Sequence, residues 1–238
     1  MRSEWLFKEL EKGIHQENRF AYASLIEESL KIASYARGLD KPLLVVKENS
    51  YLASRLSERL ACLFDDGEVI AYLPEESLRA EVIAASYENR AERLYGLYAI
   101  LKKKVKIIVV TPYGLMRYLP SPDIMSSFIR DIKVNDIVER EDLIKYLLAS
   151  GYEKVLNVEH PLSFAIRGSV LDVFSINYSR PIRIEFFDDE VDSIRFFDTD
   201  SQSTVEKVKE IELCFAKDIF FNDKEKEKLR EIIINPSG

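Results

Sequence analysis

Along the first half of the chain, short apolar runs alternate with longer stretches in which apolar residues recur every three or four positions. The runs PLLVV (42–46), EVIAY (68–72) and KIIVV (106–110) read as strands, and the stretches near 20–37, 50–63 and 86–101 read as amphipathic helices. Apolar strands separated by such helices predict a parallel sheet covered on both faces, hence an α/β unit. The two prolines of LPSPD (119–123) predict a boundary after it.

Beyond that boundary the pattern changes. FIRDIKV reads as a strand and EREDLIKYLLASG as a helix that Glu139 and Glu141 open and Gly151 closes. Four strand-like segments follow: YEKVLNV, SFAIRGSVLDVF, PIRIEFF and EVDSIRFF, the last two joined by an acidic turn of Asp188, Asp189 and Glu190. Alternating strands predict an antiparallel sheet with the helix packed on it, an α+β unit. The tail reads as one more strand, EIELCF, and a charged helix, DKEKEKLREII. The expected division is 1–120, 121–208 and a terminal stretch, 209–238.

Composition narrows the classes. At 238 residues and 47% hydrophobic content the chain can bury the cores of one large or two small domains. No apolar run approaches the ~20 residues a membrane span needs. The start, MRSEWLFKELEKG, lacks the pattern of a secretory signal, so a cytoplasmic location is expected. Cys62 and Cys214 each sit in an apolar stretch and are expected to be reduced core thiols rather than a disulfide or metal site. His15 and His160 stand alone, which leaves little material for a zinc site or a catalytic triad. No metal or cofactor is expected.

The net charge of −7 is uneven: residues 1–120 carry 18 basic and 17 acidic side chains, 121–208 carry 10 and 17, and 209–238 carry 6 and 7. The acidity belongs to the middle segment, which argues against direct nucleic-acid binding there. LKKKVK (101–106) is the one basic run; lysines at that place also complement the end of a helix.

A mostly parallel α/β unit invites a search for the phosphate loop GxxxxGK[ST]. Its nearest counterpart is GIHQENRF, in which Gly13 keeps the first glycine. Asn18 stands for the second glycine, Arg19 for the lysine and Phe20 for the hydroxyl that would hold magnesium. Phenylalanine cannot ligate a metal, and KIIVV ends in Thr111 rather than an acid. ATP binding and hydrolysis are not expected.

PIRIEFF carries the sharpest local signal. Period-2 alternation puts Ile182, Ile184 and Phe186 on one face and Arg183, Glu185 and Phe187 on the other. An aromatic beside an arginine on the polar face fits an interface hot spot, and equally a small satellite core. Arg167 precedes Gly168, where a bend or bulge is expected; it fits a salt bridge to a local carboxylate as well as a contact.

The block FAIRGSVLDVFSINYSRPIRIEFFDDEVDSIRFFDTDSQST resembles the signature stretch shared by bacterial transcription-repair coupling factors (Mfd) and the excision-repair protein UvrB. EVIAASYENRAERLYGLYAILKKKVKIIVVTPYGLMRYLPSP and GYEKVLNVEHPLSFAIRG are similar to flanking parts of the coupling factors. Ser169 and Ser175 depart from a usual glycine and proline. UvrB keeps an intact phosphate loop and a tyrosine-rich hairpin; this chain matches neither, so the resemblance favours the amino-terminal UvrB-like module of the coupling factors. It implies a degenerate RecA/helicase-like domain without a phosphate loop, followed by a UvrA-docking domain with Arg167, Arg183 and Phe187 as main contacts and Arg195 as a further candidate. Residues 209–238 would then begin a return into the first domain. The implied function is a non-catalytic adaptor recruiting UvrA in transcription-coupled nucleotide excision repair. RNA polymerase, DNA and an ATP-driven translocase motor would be handled by regions outside this chain. The alternatives are a UvrB-type ATP-dependent DNA-damage binder and an autoinhibitory regulatory fragment.

Overall fold

Two short polar side chains start the helices that open the first unit. In the computed structural model, which describes residues 24–73, 87–102, 104–116 and 119–220, Ser24 Oγ accepts from the Glu27 N–H (3.2 Å) and Asn49 Oδ1 from the Leu52 N–H (2.9 Å). Each satisfies an N–H left unpaired by the first turn. The chain divides into two compact units, residues 1–117 and 118–238.

The first unit runs α1 (Leu25–Arg37), β1 (Leu43–Val46), α2 (Ser50–Ala61), β2 (Val69–Tyr72), α3 (Tyr87–Leu101), β3 (Ile107–Val110) and α4 (Pro112–Met116). Its three strands form a parallel sheet in the order β1-β3-β2. Each expected strand and helix of this half is present, with ends shifted by up to five residues. Ile107 and Val109 of the central strand pack with Ala33, Ala36, Ala53, Leu56 and Leu60 from α1 and α2. Ile108 packs on a separate cluster of Ile70, Ala99 and Val105. Among the described residues that second cluster does not extend to β1, where Leu44 and Val46 are 48% and 47% exposed. The expectation of strands covered on both faces therefore holds at β3 and not at the β1 edge.

Cys62 corrects another expectation: it is exposed just after α2, while Cys214 is buried, and both are free. Lys102 and Lys104 follow the end of α3, as the helix-end reading of the basic run requires. Gly13, Asn18, Arg19 and Phe20 lie outside the described residues. Among the described residues no helix is long and apolar enough to cross a membrane, and no group of three or more His, Cys, Asp or Glu is placed to hold a metal ion.

The second unit begins with α5 (Pro122–Ser126), β4 (Arg130–Lys133) and α6 (Arg140–Ser150). Gly151 ends α6 in the left-handed region (φ 97°), its N–H bonded back to the last turn. There follow β5 (Glu153–Lys154), β6 (Ser163–Arg167), β7 (Val170–Val173), β8 (Ile182–Phe187), β9 (Glu190–Phe197), β10 (Thr204–Val208) and β11 (Glu210–Leu213). Six of them form a sheet in the order β10-β9-β8-β7-β6-β5, antiparallel except for the β5/β6 pair. Leu171, Val173, Ile182, Ile184 and Val191 are fully buried, as are Leu143 and Leu147 of α6. The whole is a mixed α/β fold with several sheets.

Two strand expectations need correction. SFAIRGSVLDVF is not one bent strand but a hairpin: Arg167 pairs with Val170 across the two-residue turn Gly168-Ser169. Gly168 has φ 59°, the positive value that a type II′ turn places at its first central position. YEKVLNV contributes only the two-residue β5, which runs parallel to β6. In a separate two-stranded sheet, β11 pairs antiparallel with β4. The division expected at 208 thus falls between two neighbouring strands of the second unit, and residues 221–238 lie outside the described residues.

Candidate functional site

Alternation along β8 sets the outer face of the six-stranded sheet. Ile182, Ile184 and Phe186 are buried, whereas Phe187 is 72% exposed on the opposite side. Strand register then aligns residues from neighbouring strands, since directly opposed side chains project to the same face. One row carries Asp172, Arg183, Arg195 and Lys207 across β7 to β10. The next carries Arg167, Val170, Glu185 and Ser193 across β6 to β9. Arg167, Arg183, Arg195 and Phe187 are therefore brought to one surface from three strands, β6, β8 and β9.

Three cations in neighbouring strands would repel one another, and two carboxylates offset this. Asp172, 1% exposed, accepts from Arg183 Nε at 2.7 Å and Nη2 at 2.8 Å, and from Arg167 Nη2 at 2.7 Å. A buried carboxylate is tolerated when charge-assisted hydrogen bonds of this kind satisfy it. Arg183 Nη2 also donates to Gln202 Oε1 (2.7 Å), and its guanidinium lies over the Phe197 ring, 4.2 Å from the centroid. Arg183 is thus largely enclosed, its side chain 14% exposed, while that of Arg167 is 49% exposed. Arg195 donates to Glu185, which also accepts from Ser193 Oγ. The Arg195 hydrogen bond, aided by that of Ser193 and opposed by burial, holds the Glu185 carboxyl below its usual range; the same bond raises Arg195.

The satellite core that was one reading of Phe187 is built from other residues: Phe197, Ala165 and Val158, with Val155 and Phe174 against them. The salt bridge that was one reading of Arg167 is present, to Asp172. Asp172 itself escaped the sequence reading. Its signal was a lone acid inside the apolar run VLDVF, a position that demands a cation on an adjacent strand. Chemically the face offers a half-exposed guanidinium, two more held in fixed orientations, and an unburied ring beside them.

Residues 131–219 match the family described as the UvrB interaction domain. Over 230 residues, 95% of the chain, it is 31% identical to the transcription-repair-coupling factor of Bacillus subtilis (strain 168), of which it covers 20%. It is 28% identical to the same factor from Staphylococcus aureus (strain bovine RF122 / ET3-1) over 81% of its length and 16% of that protein. For Staphylococcus epidermidis (strain ATCC 12228 / FDA PCI 1200) the identity is 28%, over 91% of this chain and 19% of the relative. The chain spans a fifth or less of the length of these relatives. The domain match and the similarity along both units agree with the sequence motifs: the chain is similar to the amino-terminal UvrB-like module of transcription-repair-coupling factors and carries a UvrB interaction domain.

Proposed function

We propose that the chain is a non-catalytic adaptor that recruits UvrA in transcription-coupled nucleotide excision repair, docking it on the outer face of the six-stranded sheet. The observation that carries this reading is Phe187: a large aromatic side chain, 72% exposed at the end of a strand whose alternate residues are buried, on the same face as three arginines. An exposed ring held by a rigid strand loses little freedom when a partner covers it. Arg167 offers the more accessible guanidinium. Arg183 is already anchored, and among the described residues none accepts from its Nη1, which is aimed by the bonds that Asp172 and Gln202 make to the other nitrogens.

The first unit reads as a decayed helicase-like domain. Its support is the parallel β1-β3-β2 sheet with helical crossovers, together with the loss of phosphate-loop residues in GIHQENRF. We place the protein in the cytoplasm, and assign RNA polymerase, DNA and the translocase motor to the parts of the longer relatives that this chain does not span.

Titration of purified UvrA by calorimetry tests the proposal. Phe187→Ala and Arg167→Ala should each weaken binding by about 2 kcal/mol, roughly thirtyfold. The Phe187 side chain is open enough that the unfolding midpoint of its variant should stay close to the parent's, whereas Arg167→Ala also takes from Asp172 one of its three short hydrogen bonds and should lower the midpoint. Equal affinity for parent and both variants refutes the site; saturable, magnesium-dependent ATP binding would point instead to a UvrB-type activity.

A further inference from the structure

Ile137 is an isoleucine in a loop, VNDIVE, and is 74% exposed. Its position is fixed rather than loose. Val138 N–H donates to Asp189 O (2.8 Å), Val191 N–H to Asp136 O (2.9 Å) and Asn135 N–H to Val191 O (2.8 Å), while Asp136 Oδ2 accepts from Lys133 N–H (2.8 Å). These bonds dock the loop on the first residues of β9, on the side that β10 occupies further along the strand. Ile137 is paired with Glu190 in the antiparallel sense. The bonds at 138/189 and 136/191 flank this pair and do not join it, the arrangement in which opposed residues come closest, with Cα atoms ~4.5 Å apart.

Glu190 is paired on its other side with Phe187. The last row of the outer face therefore reads Phe187, Glu190, Ile137, two exposed apolar side chains with a carboxylate between them. Each flank alone would be an ordinary exposed residue. Their alignment in one row, continuous with the arginine rows, is what a fortuitous exposure does not supply.

We infer that Ile137 is a second apolar anchor of the docking face, and that the surface it meets is an apolar strip interrupted by a basic side chain opposite Glu190. This deepens the reading of the face as a UvrA-docking surface and rests on it. A partner that pairs its acidic groups with Arg167 and Arg183 and its basic group with Glu190 can seat in one direction along the strands only, so the row at the hairpin end fixes orientation.

The test titrates purified UvrA against the parent chain, Ile137→Asp, Ile137→Leu, Glu190→Lys and Phe187→Ala, with the unfolding midpoint of each variant measured in parallel. Ile137→Asp should weaken binding at least tenfold, Ile137→Leu less than threefold, and Glu190→Lys at least threefold, with midpoints unchanged because both side chains are exposed. The double variant of Ile137→Asp and Phe187→Ala should lose less than the product of the two single losses, since both apolar side chains serve one strip. If Phe187→Ala weakens binding while Ile137→Asp leaves it unchanged, the inference is overturned and the arginine face stands. If neither variant changes binding, the reading of the face falls and the inference with it.

Discussion

Arg183, Arg167 and Asp172 hold one another in place, so a substitution at Arg183 alters the outer face in two ways at once. It removes a donor that a partner could use, and it strips the nearly inaccessible Asp172 carboxylate of two of its three short hydrogen bonds. Removing one member of an enclosed ion pair leaves an under-compensated charge, which costs several kcal/mol when the site is fully buried. Arg183 keeps some exposure and Arg167 remains as a partner, so Arg183→Ala should destabilise the chain by about 2 kcal/mol. Adding Asp172→Asn to Arg183→Ala should restore part of that loss, because the stranded charge is then gone. Urea denaturation of the parent, the single and the double variant decides it: a single-variant cost under about 0.5 kcal/mol would mean that the pair is not structural. For the same reason weakened UvrA binding by Arg183→Ala alone says less about contact than weakened binding by Phe187→Ala.

At the scale of elements, β11 shows how a short strand is kept in place by side chains. Tyr152 donates to the Cys214 carbonyl at 2.8 Å, and Cys214 N–H donates to Ser175 Oγ at 3.1 Å. Glu212 N–H donates to the Tyr178 hydroxyl (2.9 Å), and Asn177 donates to the Glu212 carbonyl (2.9 Å). Burial pushes the Tyr152 phenol well above its ordinary pKa, so it stays a donor throughout the accessible pH range. Tyr152→Phe keeps the ring and removes the hydroxyl, and with it the bond to the Cys214 carbonyl; a loss of about 1 kcal/mol should appear in urea denaturation. An unchanged midpoint would show that the latch does not contribute. The sequence made the strands with buried alternate residues easy to read, β3 and β8 above all. It hid β10, whose residues are almost all exposed and carry no apolar period. It also hid the hairpin at Gly168, because apolar residues on both sides made one long strand look continuous. In the candidate site, alternation was enough to place Arg183 and Phe187 on one face. The register that sets Arg167, Asp172 and Arg195 beside them is a long-range property, absent from any single segment.

At the scale of the molecule, the latch bears on where the second unit ends. A break at 208 would be natural if the sheet closed with β10, but the residues just beyond it supply the partner strand of β4 and the fully buried Leu213, Cys214, Phe215 and Ala216. Removing them would open β4 along its paired edge and strip Tyr152, Ser175 and Asn177 of partners that water cannot replace inside a core. Each fully buried large apolar side chain contributes roughly 1.5–3 kcal/mol, so losing Leu213 and Phe215 alone takes away an amount comparable to the whole stability of a small domain. A chain shortened to end at Val208 should therefore lose cooperative unfolding of its second unit and with it the proposed UvrA binding, while the full chain keeps both. Circular dichroism during heating, followed by the calorimetric titration, separates the two. Cooperative melting of the Val208 form with parent-like affinity would mean that β11 and its latch are appended to a unit already complete without them.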